Sequence, residues 1–446
     1  MSSNPRAVAL TVLQRVFVDE AYSDLALSTA LDHSSFSPAD RRLATELVYG
    51  VLRNRTYLDW LVDHISRRPV SDMEFRVANA LRLGAYQLLF LDRVPVHAAV
   101  NETVDLVPRR VAGLVNAVLR RLSAGKQTLP EPRSNDPLHV AAIRYSHPRW
   151  MLDAAAEQFG VDAAVAMARA DQERPSFVLR VNPLKITREA LLAELAPLRV
   201  RPTRYSPWGV EVERLDDLLR HPAFRDGLCL VQGEPSQIVG DLVGAQDGES
   251  VLDVCAAPGG KATHLAALVG DRGHVVAGDV HPHRLRLLRA NLRRLGVHNV
   301  SVVQLDATRS LELGADKKRF DRVLVDAPCT ALGALVKNPE LRWRVQRNDP
   351  ERLAALQLVI LQHAAEVVRV GGSLSYSVCT WTRPETYGVV EKFLSVRRDY
   401  RLDDLRTAYA SRYDKFLKED GMFLSLSHES GSEGFFAARL VRRESP

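Results

Sequence analysis

Cysteine is scarce in this 446-residue chain: four stand at positions 229, 255, 329 and 379. None belongs to a Cys-x-x-Cys pair or accompanies paired histidines, which argues against the common zinc arrangements, so reduced thiols and no metal are expected. Long apolar runs are missing too. Nothing approaches the roughly 20 residues that a membrane span needs, and the opening Met1-Ser2-Ser3-Asn4-Pro5-Arg6 forms no apolar signal core. These absences point to a cytoplasmic protein without a membrane partner. There is no internal repeat and no low-complexity tract, and hydrophobic and charged residues at 46% and 26% are ordinary for a folded chain. Charge of one sign is only slightly in excess. A net +6 permits a polyanionic partner, but charge is nearly balanced over 1–135, so no basic tail marks where one would bind.

What is present divides into three stretches, and the length exceeds one ordinary domain. From Ala7 to about Leu122 apolar residues recur at helical spacing, as in Ala7, Leu10, Leu13 and Phe17, which predicts an all-α domain. One of its helices, from Phe75 to Leu91, is stopped by Pro95. The stretch 124–137, with Gly125, Pro130, Pro132, Ser134, Asn135 and Pro137, reads as a linker, so the first domain is taken as 1–135. Residues 139–230 mix helical patterns with strand-like runs at 176–181 and 209–212 and read as a small α+β segment. Over 231–446 strands and helices alternate, with strands at 250–255, 274–279, 300–305, 322–325 and 372–377. Helices are expected at 261–269, 284–295 and 351–370. This order predicts an α/β, doubly wound, mostly parallel Rossmann-like sheet, closed by a hairpin at 423–441.

In such a sheet ligands bind beyond the carboxyl ends of the strands, where Asp253, Asp279, Asp306 and Asp326 are expected to face one crevice. Val251-Leu252-Asp253-Val254 runs into Cys255-Ala256-Ala257-Pro258-Gly259-Gly260-Lys261, a glycine turn opening a helix, which is how nucleotide-like cofactors are held. Asp279 lies twenty residues beyond Gly259, the spacing of an acceptor for ribose hydroxyls, and that spacing alone also fits NAD. The dinucleotide pattern G-x-G-x-x-G is absent, however. A phosphate-binding P-loop would need Gly at 255 and Ser or Thr at 262, where Cys255 and Ala262 stand. An adenosine cofactor with no phosphate to cradle remains, S-adenosylmethionine, with its carboxylate end toward the N–H groups after Pro258. Lys261 reads equally well as a solvated first-turn lysine. Arg284, Arg286, Arg289, Arg293 and Arg294 flank a buried stripe of Leu285, Leu288, Leu292 and Leu295 and read as a solvated face, with RNA contact as the alternative.

Two cysteines close short motifs at strand ends: Asp326-Ala327-Pro328-Cys329 and Tyr376-Ser377-Val378-Cys379. Structural thiols usually sit inside apolar runs, as Cys229 does in Leu228-Cys229-Leu230-Val231, so this placement points to thiol chemistry beside the cofactor. One thiol can attack and the other help undo the attack. Cys255 reads as a packing residue whose backbone touches the cofactor. Trp343, in Leu341-Arg342-Trp343-Arg344, reads as a packing or base-stacking residue, with Arg342 and Arg344 open as RNA contacts.

Together these motifs resemble the RNA 5-methylcytosine methyltransferases, in particular the bacterial RsmB (Fmu/Sun) branch that modifies small-subunit ribosomal RNA. Ala256-Ala257-Pro258-Gly259-Gly260-Lys261, Asp279 with Arg284, Asp306, both cysteine motifs and Gly434-Phe435-Phe436 carry the resemblance. The helical region is similar to NusB, an RNA-binding fold, through Asp40-Arg41-Arg42, Arg82-Leu83-Gly84-Ala85-Tyr86-Gln87, His97-Ala98-Ala99-Val100-Asn101-Glu102 and Val115-Asn116-Ala117-Val118-Leu119-Arg120. The resemblance implies methyl transfer from S-adenosylmethionine to carbon 5 of a cytosine in 16S rRNA, free or in an early small-subunit assembly intermediate, by a monomer. It implies Cys379 as the nucleophile that adds to carbon 6, Cys329 as the thiol assisting product release, and Asp326 as a contact to the N3/N4 edge of the base. Cofactor contacts are expected from Cys255, Ala256, Ala257, Pro258, Gly259, Gly260, Lys261, Asp279, Arg284, Asp306 and Asp326.

The chain departs from the family pattern at Thr330-Ala331, where Ser-Gly is usual, at Val378 in place of Thr, and at Thr386 in place of an acidic residue. A DNA cytosine methyltransferase would instead use the cysteine of Pro328-Cys329 as nucleophile, and the second thiol at Cys379 argues against that. The non-enzymatic alternative is a NusB-like RNA-binding assembly factor with an inactive methyltransferase domain; intact Asp279, Asp306, Asp326, Cys329 and Cys379 argue against it.

Overall fold

A computed structural model describes residues 4–213, 215–311 and 319–444. The chain divides into two compact units, one of 1–173 with 335–346 and one of 174–334 with 347–446. The first unit is helical: α1 (Pro5–Val18), α2 (Ser23–Asp32), α3 (Pro38–Ser66), α4 (Phe75–Phe90), α5 (Val96–Val104), α6 (Arg109–Ala124), α7 (Pro137–Arg144), α8 (Arg149–Phe159) and α9 (Val161–Ala170). Local chemistry sets the helix starts. Asn4 accepts from the N–H of Arg6 at 2.8 Å ahead of α1, and Ser37 accepts from Asp40 at 3.2 Å ahead of α3, each followed by a proline at the first helical position. Leu10, Leu13, Leu47, Leu52, Leu81 and Leu119 meet in one core, each buried leucine contributing about 2 kcal/mol. At Gly50 α3 passes so close to α4 that a Cβ would run into the Tyr86 ring.

The stretch 124–137 lies within this unit, and the division between units falls at 173/174. Asp136 caps α7 by accepting from Leu138 at 2.9 Å, and α7 to α9 cluster with the helices before them. Residues 335–346 join them from far along the chain. Arg342, fully buried, donates to the carbonyls of Arg53 at 2.9 Å and Asp171 at 2.6 Å, and Trp343 donates its indole N–H to the Leu52 carbonyl at 3.2 Å. Arg342 is therefore a buried anchor and not an RNA contact, because its guanidinium faces carbonyls. Trp343 packs, and Arg344 lies over the Tyr22 ring.

The second unit holds two sheets. The smaller joins β1 (Phe177–Val181), β2 (Val200–Pro202), β3 (Gly209–Val212) and β4 (Cys229–Val231) in the antiparallel order β2-β3-β1-β4, with Cys229 fully buried among its apolar neighbours. The larger comprises β5 (Ser250–Asp253), β6 (His274–Asp279), β7 (Val300–Gln304), β8 (Phe320–Asp326), β9 (Val368–Val378), β10 (Tyr400–Asp403), β11 (Phe423–Ser425) and β12 (Phe435–Arg442). Its order is β10-β12-β9-β8-β5-β6-β7, with β11 on β12; the run from β9 to β7 is parallel. Val251, Leu252, Val275, Val323, Leu324 and Val325 are buried, as in a parallel sheet covered on both faces.

Two elements differ from the sequence expectation. The helix foreseen at 351–370 covers Asp349–Glu366, and Val368 already pairs with Phe320 in β9; an apolar run at a helix-to-strand junction carries no period that separates the two. The closing hairpin is also more than a hairpin, since β12 pairs with β11 and additionally inserts between β9 and β10. It thus backs β9, the strand that leads to Cys379.

Candidate active site

β5 ends at Asp253, and the turn beyond it is tied to both neighbouring strands: Val254 donates to the Leu324 carbonyl at 3.1 Å and Ala256 to that of Gly278 at 2.7 Å. Gly259 turns the chain at φ 107°, a conformation that strains any residue with a Cβ. The helix Gly260–Val269 follows, its first internal bond running from Thr263 N–H to the Gly259 carbonyl at 3.0 Å. The N–H groups of Gly260, Lys261 and Ala262 thus lie at the electropositive end of the helix, ahead of its bonded ladder. Arg180, buried one residue before the end of β1, supports the turn by donating to the Gly260 carbonyl, to Thr263 Oγ1 at 2.8 Å and to Gln232 Oε1 at 2.7 Å. Burial pushes its guanidinium down to about 9. Nothing in the sequence pattern singled it out.

Three of the four expected aspartates converge. Asp253 is 1% exposed and keeps Oδ2 without a hydrogen bond; burial and then the Asp326 charge push its carboxyl up to about 7. Asp279 accepts from His281 N–H at 2.9 Å through Oδ1. Its Oδ2 faces Arg284 at 3.3 Å without hydrogen-bond alignment, so this is an ion pair only. Arg284 also donates to the Ala257 carbonyl at 2.5 Å, linking the turn to β6. Asp306 differs: it accepts from Thr308 N–H at 3.0 Å and hydroxyl at 2.6 Å and pairs with Arg309, closing its own turn. Among the nearby arginines, Arg286, Arg289 and Arg293 are exposed, whereas Arg294 donates to the carbonyls of Phe224 and Cys229. The Cys255 thiol is pushed up by burial and by the neighbouring Asp253 charge, in keeping with a packing role.

Buried carboxylate oxygens without donors, beside helix N–H groups without acceptors, suit a ligand that brings hydroxyl and ammonium donors together with a carboxylate. S-adenosylmethionine has these groups, and the residues fit it. Lys261, far from being solvated, is 7% exposed, donates to Asp326 Oδ2 at 2.7 Å and lies over the Phe435 ring at 4.8 Å. Ser377 donates to the other Asp326 oxygen at 2.7 Å.

The parallel register of β8 and β9 sets Asp326 against Ser377, so the cysteines that follow emerge side by side: the Sγ atoms of Cys329 and Cys379 are 3.2 Å apart. The Cys329 thiol is pushed well up, chiefly by its hydrogen bond to Cys379 and then by burial. Beneath the pair lies a network without a sequence signature. Fully buried Glu385 accepts from Thr330 N–H at 2.8 Å and hydroxyl at 2.5 Å, from Thr382 Oγ1 at 2.8 Å and from Gln357 Nε2 at 3.0 Å. Tyr376 donates to Gln357 at 2.9 Å and to the Glu385 carbonyl at 2.6 Å. Among the described residues no His/Cys/Asp/Glu cluster suited to a metal occurs, and no helix is long and apolar enough to cross a membrane.

Similarity to known proteins extends over nearly the full chain. Residues 242–441 match the family described as 16S rRNA methyltransferase RsmB/F, 3–124 the NusB family and 147–217 the ferredoxin-like domain of RsmF/B-like methyltransferases. A Synechocystis sp. protein, named a probable ribosomal RNA small subunit methyltransferase B, is 33% identical over 98% of this chain and 99% of its own. The ribosomal RNA small subunit methyltransferase B of Pseudomonas putida is 33% identical over 98% of each chain. Among solved structures, PH0851 superposes with a TM-score of 0.80 at 26% identity, covering 99% of this chain and 100% of its own. A methyltransferase homologue from Pyrococcus horikoshii superposes with a TM-score of 0.59 at 28% identity, over 70% of this chain and 100% of its own.

Proposed function

Because the chain belongs to the RsmB/F family of 16S rRNA methyltransferases, we propose that it methylates carbon 5 of a cytosine in 16S rRNA through a covalent adduct between Cys379 and carbon 6. Carbon 5 of cytosine is a weak nucleophile. Addition of the Cys379 thiolate to carbon 6 turns the ring into an enamine whose carbon 5 can attack an electrophile. S-adenosylmethionine supplies, when bound, a methyl group made electrophilic by its sulfonium. Asp326, held between Lys261 and Ser377, faces the N3/N4 edge of the base and stabilises charge developing on the ring. Loss of the carbon-5 proton then expels the Cys379 thiol, with Cys329 assisting. The target base must leave its stack to reach either sulfur. The helical unit, which matches NusB, is assigned to RNA binding.

The observation that carries this reading is the 3.2 Å approach of two thiols next to the Lys261–Asp326 pair, at the end of a sheet built for S-adenosylmethionine. Its test lies in the opposite fates of the two variants. Cys379→Ala should lose methylation and form no RNA adduct. Cys329→Ala should lose turnover while accumulating a protein–RNA adduct stable to denaturing electrophoresis, both variants still binding RNA. An adduct that persists in Cys379→Ala and vanishes in Cys329→Ala would make Cys329 the nucleophile and favour the DNA-type arrangement.

A further inference from the structure

Two loops carry the thiols, and more than the contact between the sulfurs ties them together. Cys329 is followed by Thr330 and Cys379 by Thr380, and the hydroxyls of these threonines lie 3.0 Å apart. Gly333 N–H donates to the Cys379 carbonyl at 3.0 Å, and Trp381 donates its indole N–H to the Leu332 carbonyl at 3.2 Å. Gln357 donates to the Pro328 carbonyl at 3.0 Å from the long helix below. Thr330 and Gln357 among these also meet one carboxylate, Glu385. Glu385 is 0% exposed, and its four partners come from the first loop (Thr330 twice), the second loop (Thr382) and the helix (Gln357).

Each of those partners can donate, and two of them, a backbone N–H and an amide NH2, can do nothing else. With the Thr330 hydroxyl donating to Glu385, its oxygen is left to accept from Thr380. The Thr330 N–H and the Gln357 amide both reach Oε1 and favour the ionised carboxylate, against burial, which pushes the Glu385 carboxyl above its usual range.

We propose that Glu385 is a positioning residue for the thiol pair: it locks the Thr330 end of one loop against the Thr382 end of the other so that Cys329 meets Cys379 as the hydrogen-bond donor. The carboxylate bonds directly to the residue after Cys329 and reaches Cys379 only across Thr380 and Thr382. Its negative charge therefore favours keeping the shared proton on Cys329, and the same charge contributes to the upward push on that thiol. Glu385 thus helps decide which sulfur attacks, without touching the substrate. This inference rests on the covalent reading of the site.

Glu385→Gln is the discriminating variant, because both threonine hydroxyls can reverse to accept from its amide, preserving the braces while removing the charge. The ratio of iodoacetamide alkylation at Cys379 to that at Cys329, read by mass spectrometry in the full-length protein, should fall about tenfold, as for a one-unit change in relative acidity. The kcat should fall about 100-fold, the scale of a small misplacement of a reacting group. KM for RNA and the dissociation constant for S-adenosylmethionine should stay within about twofold. Thr330→Val, which removes one brace and keeps the charge, should lower kcat with a smaller change in the alkylation ratio. An unchanged ratio and kcat in a Glu385→Gln protein that binds cofactor normally would overturn the proposal. A parallel loss of cofactor affinity and of RNA KM would overturn it too, as the mark of a merely structural residue. If Glu385→Gln does not fold, an unaltered kcat in Thr330→Val overturns it. Alkylation ratios do not depend on the methylation chemistry, so a methylating Cys379→Ala protein would sink the covalent reading by itself and be recognisable as that failure.

Discussion

Asp253 and Asp279, at the ends of β5 and β6, each keep a buried carboxylate oxygen without a hydrogen bond, whereas Glu385, Thr330, Thr382, Gln357 and Tyr376, below the ends of β8 and β9, direct their polar atoms at one another. An unsatisfied buried polar atom costs about 1–3 kcal/mol. Two such atoms at the ends of adjacent strands are acceptors open to a ligand's donors. The other half of the site must already be in shape before any ligand arrives, because two sulfurs aligned to a fraction of an ångström are useful only on a rigid support. The same sheet thus leaves polar atoms unbonded at one pair of strand ends and bonds them to one another at the other.

The largest expected effect comes from the open side. Without cofactor, the Asp253 carboxyl releases its proton near 7 in the folded protein and near 4 in the unfolded chain. Between these values the folded state holds the extra proton, so stability falls as pH rises through that window, by about 4 kcal/mol in all. Thermal unfolding of the cofactor-free protein from pH 4 to 8 should show this decline, and Asp253→Asn should flatten it. Equal slopes for the two proteins would assign the decline elsewhere.

Lys261 stands between the halves, since it supplies the positive charge beside Asp326 while Asp326 raises the Asp253 carboxyl. Lys261→Met should lower stability by about 3 kcal/mol, the scale for breaking one side of a buried pair. An unshifted unfolding midpoint would show that solvent reaching the 29%-exposed Asp326 side chain replaces the ammonium. The smallest effect sharpens the contrast most. Asp279→Ala should weaken S-adenosylmethionine binding by about 2 kcal/mol in calorimetry through lost hydrogen bonds, while the alkylation ratio of the two cysteines stays as in the parent. A change in that ratio would mean that the halves are not independent.

The open half was the legible half. A glycine turn after a β-branched strand and aspartates at strand ends are local patterns with local causes, and they identified Asp253, Asp279 and the turn at 255–261. Both cysteines were visible for the same reason, each closing a short motif at a strand end. Glu385 was not, because Arg383-Pro384-Glu385 reads like the polar start of any surface helix and only the register of β8 and β9 brings it under Thr330. Lys261 read equally well as a solvated lysine and as a cofactor contact; the structure buries it, with Phe435 of the inserted β12 beneath its ammonium. Asp306 shared the strand-end signal but follows it with Thr308 and Arg309, which occupy its oxygens locally. The helices at 137–170 appeared to begin a new domain because a proline-rich stretch precedes them, yet they group with the helices before them in one compact unit.

The excursion of residues 335–346 into the helical unit bears on how such a protein can be inherited and rebuilt. Parts joined end to end can be shuffled between genes, since one cut separates them. Here the chain passes from the methyltransferase unit to the helical one and back between Cys329 and Cys379, carrying Arg342 to the carbonyls of Arg53 and Asp171. A recombination that exchanged only the N-terminal portion would leave a buried guanidinium dependent on how the new portion places its carbonyls, thirteen residues from Cys329. Natural or engineered chimaeras must therefore trade the two distant segments together.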